Sequence, residues 1–296
     1  MGTRLVDKIA IVGVGLIGGS LALALKQAQM VQSVIGWDTD LDNLNLAVQL
    51  GVIDIAAVSI EQAVVDADVV MLAVPVGSML AVAQQVISHM KPGAVLSDTG
   101  SVKQTVVAQV EPLAQECSVS FVAGHPISGT ERSGAGSAFA ELYHHKRCIL
   151  TPTANTDIQA LELMGKLWQA AGSEVVHMDV MKHDRILAAI SHLPHMIAYS
   201  LVNSVSCYDR YPENILDYSA GGFRDFTRIA SSDPVMWRDI ALNNRESLLE
   251  MISQFEQFLA ELKQDIESAD GARLYEFFHR SKISRDAILA KVVKDN

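Results

Sequence analysis

Residues 8–25 form an apolar segment, a glycine-rich turn and a second apolar segment, and this order restricts the chain to a small number of folds. Residues 9–12 form a short, mainly β-branched segment, as in a buried strand, and a turn with three spaced glycines follows it. Where a strand turns into a helix, Gly13 allows the tight bend, Gly15 lets the backbone approach a pyrophosphate, and Gly18 lets the helix lie close to the sheet. The motif therefore predicts the first unit of a dinucleotide-binding parallel sheet.

Short β-branched segments alternate with helical patterns as far as about residue 178. Seven segments predict strands (9–12, 33–37, 69–74, 94–97, 121–123, 148–150 and 174–178), and five predict helices between them (16–28, 42–50, 79–89, 102–115 and 158–171). After about Asp179, long segments with helical period, such as 185–205 and 234–263, replace the alternation. We therefore predict an α/β Rossmann-type parallel-sheet domain over residues 1–179 and an all-α helical domain over residues 180–296.

Asp38 adds to the prediction of a nucleotide site, because it ends the second predicted strand about 20 residues after Gly18, where a carboxylate can bind ribose hydroxyls. A carboxylate there would repel a 2′-phosphate, so we expect NAD rather than NADP. The predicted cofactor-binding residues are Gly13, Gly15, Leu16, Ile17, Gly18, Asp38 and, at the end of another strand, Val74 and Pro75. In the alternative, the glycines only shape a turn and Asp38 caps the next helix.

Charge and composition exclude several classes of partner. The net charge of -11 and the pI near 5.2 do not suit binding to a phosphate backbone, so we expect no nucleic-acid partner. The longest apolar run, residues 69–77, is far shorter than the roughly 18 residues that suggest a membrane span. Three widely spaced cysteines and an N-terminus without an apolar leader predict a soluble, cytoplasmic protein with free thiols and no membrane partner.

Three further clusters contain candidate chemical groups: residues 98–103, residues 124–131, and residues 191–195 together with 221–228. His125 lies in a glycine-flanked polar loop and has an imidazole suited to acid/base work near neutral pH, although a structural histidine at a strand end would look the same. In the same loop, Ser128, Thr130 and Glu131 can hydrogen-bond a substrate or orient the ring. Ser101 begins a predicted helix and is either an N-cap or a substrate contact.

The helical part has three informative features. Pro194 lies within a helical pattern, so we expect a kink that turns His192 or His195 into a cavity or leaves both in a kinked core helix. Arg224 and Arg228 share a face if their segment is helical, and nearby aromatic residues predict that they are partly buried. An apolar stripe then predicts packing against a partner subunit or an internal helical core; it comprises Leu248, Leu249, Ile252, Phe255, Leu259 and Leu262.

Five segments together resemble the prephenate and arogenate dehydrogenases of tyrosine biosynthesis: GVGLIGGS, DTGSVK, GHPISGTERSG, SHLPH and GGFRDFTRIASSDPVMW. The resemblance extends from about residue 8 to about residue 265, and the last three segments are more specific than the first. It implies a Rossmann domain followed by a helical dimerisation domain, a homodimer, and the NAD-dependent oxidative decarboxylation of an anionic cyclohexadienyl acid.

The resemblance also implies roles for individual residues. His125 matches the catalytic histidine, which hydrogen-bonds the 4-hydroxyl of the substrate ring, and Ser101 lies beside it. Arg228 matches the arginine that binds a substrate carboxylate, and His192 and Glu131 match residues that line the pocket. The predicted substrate-binding set is Ser128, Gly129, Thr130, Glu131, His192 and Arg228.

Two other functions stay open from the residues alone. A β-hydroxyacid dehydrogenase also joins a Rossmann domain to a helical one, but it is expected to have a lysine after its second glycine-rich motif, where this chain has His125. A nucleotide-sensing binding protein without turnover is the other alternative. The residues do not decide between prephenate and arogenate, and they do not show whether tyrosine inhibits.

Overall fold

The chain forms the parallel sheet that its sequence predicts, and this sheet has six strands between residues 6 and 122. The computed structural model describes residues 4–130, 132–208 and 215–292. The sheet has the order β3-β2-β1-β4-β5-β6; its strands are β1 (Val6–Val12), β2 (Val31–Trp37), β3 (Ile55–Ala56), β4 (Val69–Leu72), β5 (Val95–Asp98) and β6 (Ser120–Val122). The strand order reverses between β1 and β4, and nucleotides bind at such a reversal, outside the carboxyl ends of the strands.

Helices cover both faces of this sheet. They are α1 (Leu16–Gln27), α2 (Leu41–Gln49), α3 (Ile60–Val64), α4 (Met79–Ile87), α5 (Gln104–Glu116) and α6 (Ile158–Ala170). Along β1, Ile9 and Ile11 enter one hydrophobic core and Ala10 and Val12 enter the other, because successive side chains of a strand point to opposite faces. A strand buried on both sides is apolar throughout, which is why these strands were recognisable in the sequence. The short elements β3 and α3 were not predicted.

Two of the predicted strands belong to a second sheet, so the prediction of one parallel sheet was wrong for them. In this three-stranded sheet, β8 (Arg147–Leu150) pairs antiparallel with β7 (Gly124–Pro126) and parallel with β9 (Glu174–His177). The β-branched composition of β8 and β9 indicates strands but does not indicate their partners. His125 is the central residue of β7, between Gly124 and Pro126. Because glycine and proline are typical of turns, this segment was predicted as a loop.

All described elements after β9 are helical. They are α7 (Val180–Leu187), a π-helical turn (Ala188–His192), α8 (Leu193–Ser206), α9 (Gly221–Thr227), α10 (Pro234–Asn243), α11 (Arg245–Glu267) and α12 (Gly271–Val292), with short 3₁₀ turns beside α9. The predicted helix 234–263 is interrupted at Asn244, and α12 was not predicted. The kink predicted at Pro194 takes the form of the π-helical turn, since proline has no N–H for the regular helical hydrogen bond.

By compactness, the chain divides into two units, Met1–Arg245 and Glu246–Asn296. The first unit contains both sheets together with α7 to α10. The change from α/β to helical structure falls earlier, between His177 and Val180. The domain boundary between residues 179 and 180 therefore stays a prediction. The segment Val180–Ser206 meets the length and hydropathy of a membrane span, a criterion that core helices of water-soluble proteins also meet.

Candidate active site

The glycine turn between β1 and α1 has the three properties that its sequence predicts. Gly13 has a φ of +94°, and a Cβ there would lie 2.4 Å from the carbonyl oxygen of Ala73. A Cβ at Gly18 would lie 2.3 Å from the carbonyl oxygen of Gly13, so only glycine lets α1 approach this closely. At Gly15, by contrast, no described atom outside the adjoining backbone and neighbouring residues lies within 4 Å of the position of a Cβ. The backbone is thus open on the side where a pyrophosphate would approach the start of α1.

Asp38 lies beside this turn. Its carboxylate accepts the N–H of Val14 at 2.9 Å, a contact that places it at the mouth of the turn. The side chain that caps α2 is Asp40 and not Asp38, so the alternative role of Asp38 as a helix cap was wrong. Val74 and Pro75 follow β4 on the same edge, with the Val74 side chain 3.1 Å from the position of a Cβ on Gly13. Leu16 and Ile17 form the first turn of α1.

Two helices of the first unit, α7 and α10, pack against elements that follow strands of the sheet. α7 packs against α5, and α10 packs against the turn Val76–Ser78 that follows β4. The carboxylate of Asp184, on α7, accepts the backbone N–H groups of Lys103 and Gln104, each at 2.8 Å, at the start of α5. Because Asp184 satisfies these groups, Ser101 is not the N-cap of α5, and that predicted alternative was wrong. Ser101 is half-buried, and its hydroxyl forms no hydrogen bond with the described part of the chain.

His125 is connected to α7 through a second buried histidine. Its side chain is buried, at 8% exposure, and its Nδ1 lies 2.9 Å from Nε2 of His183. Nδ1 of His183 lies 2.7 Å from Oδ1 of Asp184. Burial lowers the pKa of His125 well below its usual 6.5, and the nearby His183, Lys103 and His192 lower it further. His125 is therefore neutral near pH 7.

A buried ion pair holds the backbone that carries His125. Lys103 and Asp98 are fully buried and form a direct salt bridge. Nζ of Lys103 donates to the carbonyl oxygen of Gly124 at 2.8 Å, and Oδ1 of Asp98 accepts the N–H of Gly124 at 3.2 Å. Both polar groups of Gly124 are thus bound to the same ion pair. This contact fixes the start of β7 against the end of β5.

His192 and His195 flank Trp237 in the helical part of the site. The ring of His195 stacks on that of Trp237 with a centroid separation of 3.7 Å, and His192 meets it edge-on. Nδ1 of His192 lies 3.1 Å from Nδ2 of Asn244. Burial lowers the pKa of His192 to about 4, with His183 and His195 adding to the effect and Asp184 opposing it. The pKa of His195 is lowered by burial and also by Arg228, which therefore lies near it.

Several buried side-chain polar atoms have no hydrogen-bond partner among the described residues, and three of them lie in the segments of the candidate site: Oγ of Ser128, Nε2 of His192 and Nε1 of Trp237. Unpaired buried polar atoms are rare in folded proteins, so a bound ligand is a natural partner for these atoms. In the same segment as Ser128, Gly129 and Thr130 are exposed, and Oγ1 of Thr130 accepts the N–H of Arg132. Glu131 lies outside the described residues.

Arg228 begins the 3₁₀ turn after α9 and is exposed, as is Arg224. The predicted partial burial of these arginines was therefore wrong for the single chain. Of the aromatic residues that suggested it, Trp237 is buried at 7% exposure, whereas Phe226 is 48% exposed. Composition around a residue does not determine which face of a short helix meets the core.

His183, Asp184 and Asn244 were not predicted as site residues. The only signal for the first two was an adjacent His–Asp pair near the start of a helix, which is common on protein surfaces. Within the described residues, no group of three histidine, cysteine or acidic side chains is arranged to hold a metal ion.

Two family matches meet where the chain changes from α/β to helical structure, between His177 and Val180. Residues 21–177 match the family description "prephenate dehydrogenase, nucleotide-binding domain", and residues 179–280 match "prephenate dehydrogenase, dimerization domain". A cyclohexadienyl dehydrogenase from Zymomonas mobilis is 39% identical over 281 residues, which are 95% of each chain. A prephenate dehydrogenase from Bacillus subtilis is 35% identical over 283 residues, which are 95% of this chain and 76% of that protein.

A solved structure is similar over nearly the whole chain. The crystal structure of prephenate dehydrogenase from Aquifex aeolicus, in complex with hydroxyphenyl propionate and NAD+, superposes with a TM-score of 0.91 at 37% identity. The alignment covers 97% of this chain and 100% of that one.

Proposed function

The chain belongs to the prephenate dehydrogenase family, and from that membership we propose that it catalyses the NAD-dependent oxidative decarboxylation of prephenate or arogenate. The product is 4-hydroxyphenylpyruvate from prephenate or tyrosine from arogenate. The observation that carries this proposal is the position of His125, a buried neutral imidazole between the nucleotide-binding edge of the sheet and the helical pocket.

NAD fits the residues at the glycine turn. Gly15 leaves the backbone open at the start of α1, and Asp38 lies where it can bind the ribose hydroxyls. Asp40 and Asp42 follow closely and add negative charge, which disfavours a 2′-phosphate. When bound, NAD supplies the acceptor for the hydride that leaves the substrate ring.

His125 handles the proton of the reaction. It takes the proton of the ring 4-hydroxyl as the carbon–hydrogen bond at that position breaks, so the carbon becomes a ketone. Loss of carbon dioxide then delivers the electron pair of the broken carbon–carbon bond to the ring. The ring becomes aromatic, and the ketone oxygen becomes a phenol by recovering the proton from His125. The pocket must not hold the departing carboxylate so tightly that its loss is penalised.

The side chains that we propose for substrate binding suit an anion. Arg228 supplies a permanent charge and a planar fork that matches a carboxylate, despite the acidic balance of the chain. Nε2 of His192 and Oγ of Ser128 are buried and unpaired within the described structure, so a substrate can satisfy them. Ser101 lies in the segment 98–103, between Asp98 and Lys103, and is the second proposed catalytic residue. Gly129, Thr130 and Glu131 complete the proposed substrate-binding set.

We propose a homodimer formed through the helical part of the chain. Along the apolar stripe of α11, Leu249 and Leu259 are half exposed, and Tyr275 on α12 is 62% exposed. Exposed apolar residues repeated along a helix mark a contact surface. The match to a dimerization domain also supports a second copy of the chain as the partner. We also propose a cytoplasmic location, in keeping with the three free cysteines.

A substrate assay tests the proposed function. NADH formation should be measured with prephenate, arogenate and a set of β-hydroxyacids, each with NAD and with NADP. We expect turnover with prephenate or arogenate and NAD, and none with the hydroxyacids. Turnover with the hydroxyacids alone would support the alternative dehydrogenase, and NAD binding without turnover on any substrate would support a sensing role.

A further inference from the structure

Asp184 lies where α7 meets the start of α5, and both its carboxylate and its backbone carbonyl are hydrogen-bonded. The carboxylate accepts the N–H groups of Lys103 and Gln104 and lies 2.7 Å from Nδ1 of His183. The carbonyl oxygen accepts Nδ2 of Asn244 at 2.8 Å. One residue is therefore connected to two imidazoles of the pocket, to His125 through His183 and to His192 through Asn244.

The neighbours of His183 determine which of its nitrogens carries a proton. The Asp184 carboxylate accepts two backbone N–H groups and has no hydrogen of its own to donate. In its contact with His183 it is therefore the acceptor, and Nδ1 of His183 carries a proton. Burial lowers the pKa of His183; Lys103 lowers it further, and Asp184 and Asp98 oppose this effect without reversing it. The ring is therefore neutral, and its Nε2 presents a lone pair to His125.

The lone pair on Nε2 of His183 determines which nitrogen of His125 carries the proton. Nδ1 of His125, at 2.9 Å from Nε2 of His183, must be the donor in that contact. The charged and titratable groups that face His125 are His183 on α7, Lys103 before α5 and His192 in the π-helical turn, and all three disfavour a second proton. In the neutral ring, Nε2 of His125 is therefore unprotonated.

His192 is held in the opposite tautomer. A carbonyl oxygen can only accept, so the Asn244 atom beside the carbonyl of Asp184 is the amide nitrogen. The same nitrogen lies 3.1 Å from Nδ1 of His192, and an amide nitrogen does not accept hydrogen bonds. Nδ1 of His192 is therefore the acceptor, and the proton of the neutral ring is on Nε2, which is buried and unpaired within the described structure.

We propose that Asp184 sets the protonation of both pocket histidines: acting through His183 it makes Nε2 of His125 a proton acceptor, and acting through Asn244 it makes Nε2 of His192 a hydrogen-bond donor. Two neutral rings then offer one acceptor and one donor to the substrate. Asp184, His183 and Asn244 are positioning residues in this scheme. The link to catalysis rests on the proposed function, whereas the two tautomers do not.

The tautomers can be measured directly in the resting protein. In histidine-labelled full-length protein, ¹⁵N NMR distinguishes protonated from unprotonated ring nitrogens, and the spectra of His125→Asn and His192→Asn assign the signals. We expect an unprotonated Nε2 and a protonated Nδ1 in His125, and the reverse in His192. A proton on Nε2 of His125, or on Nδ1 of His192, would overturn the proposal whether or not the protein turns over prephenate.

Kinetics of two variants test the consequence. His183→Phe keeps a buried ring but cannot accept from His125, so kcat should fall by about 10²- to 10⁴-fold with KM nearly unchanged, as expected when a catalytic base loses its orientation. Asn244→Asp replaces a donor by an acceptor, so Nε2 of His192 loses its fixed proton. KM should then rise by about 3- to 10-fold with less change in kcat, the effect of one lost hydrogen bond.

Val86→Ala is the matched control, because Val86 lies in the core between the sheet and α4 and removing its methyl groups only lowers stability. It should lower the melting temperature and leave the pH profile of kcat unchanged. If His183→Phe has a normal kcat and pH profile while folded, the positioning role is excluded. If that variant does not fold, the NMR result on the wild-type protein decides. A wild-type protein with the expected tautomers but without turnover would count against the proposed function and not against this inference.

Discussion

Nζ of Lys103 lies 2.8 Å from the carbonyl oxygen of Gly124, the residue immediately before His125. Lys103 is fully buried and also pairs with Asp98, whose carboxylate accepts the N–H of the same Gly124. Removing a charge pair from solvent costs free energy, and the attraction between the charges offsets this cost only when the geometry is good and further hydrogen bonds are formed. Here it fixes the short strand that presents the proposed catalytic base.

Removal of one partner of this pair should destabilise the protein strongly. Lys103→Met leaves Asp98 buried without its countercharge, and such changes cost about 3–5 kcal/mol. The free energy of unfolding, measured with urea, should show this loss. In the double variant Lys103→Met with Asp98→Asn neither side chain is charged, so its loss should be smaller than the sum of the two single losses. Simple additivity would show that the two side chains do not act as a pair.

Asp38 should determine the choice of cofactor. Asp38→Ser removes the charge that repels a 2′-phosphate and leaves the glycine turn intact. The ratio of kcat/KM for NAD over NADP should fall by roughly tenfold, because a hydrogen bond to a charged group contributes about 1.5–3 kcal/mol. The measurement is kcat/KM with both cofactors in the wild-type protein and the variant. Equal kcat/KM values for the two cofactors in the wild-type protein would contradict this account of the site.

Stability should depend on pH through His192. Its pKa is about 4 in the folded protein and about 6.5 in an unfolded chain, so between these values the unfolded chain binds more protons. The free energy of unfolding therefore decreases as the pH falls from 6.5 towards 4, by up to about 1.4 kcal/mol per pH unit, and this effect is absent above pH 6.5. Urea unfolding at pH 7 and pH 5 should show a smaller difference in His192→Asn than in the wild-type protein. The same difference in both would mean that His192 titrates normally.

Arg228 should bind a substrate carboxylate. Loss of a charge-assisted hydrogen bond costs about 1.5–3 kcal/mol, so Arg228→Ala should reduce kcat/KM by roughly 10- to 100-fold. Most of this should appear as a higher KM, since the contact is present in both the ground state and the transition state. Arg147→Ala, which changes an exposed arginine paired with Glu174, is the control and should leave KM unchanged. A fall in NAD affinity equal to the fall in substrate affinity would remove Arg228 from the substrate site.

The elements that were predicted correctly are those with a local signal. β1, the glycine turn and α1 follow from residues 9–28, because strand burial, tight turning and helix packing each require particular residues over a short distance. Asp38 was placed correctly at the end of the second strand, beside the turn.

The parts that were missed depend on contacts between distant residues. The link from His125 through His183 to Asp184 joins residues that are 58 positions apart in its first step, and no periodicity marks it. β7 is a strand only because β8 pairs with it, and its glycine and proline indicate a loop. The exposure of Arg228 depends on how α9 lies on the rest of the unit, which the surrounding phenylalanines do not reveal.

His125 is the proposed base of a prephenate or arogenate dehydrogenase, and the kinetics of His125→Asn are the strongest test of this role. Asparagine keeps a hydrogen-bonding shape at Nδ1 but cannot accept the proton, so kcat with NAD and the better substrate should fall by about 10²- to 10⁴-fold. The dissociation constants of NAD and substrate should change much less. A variant that turns over at close to the wild-type rate would contradict the claim and leave His125 with a structural role.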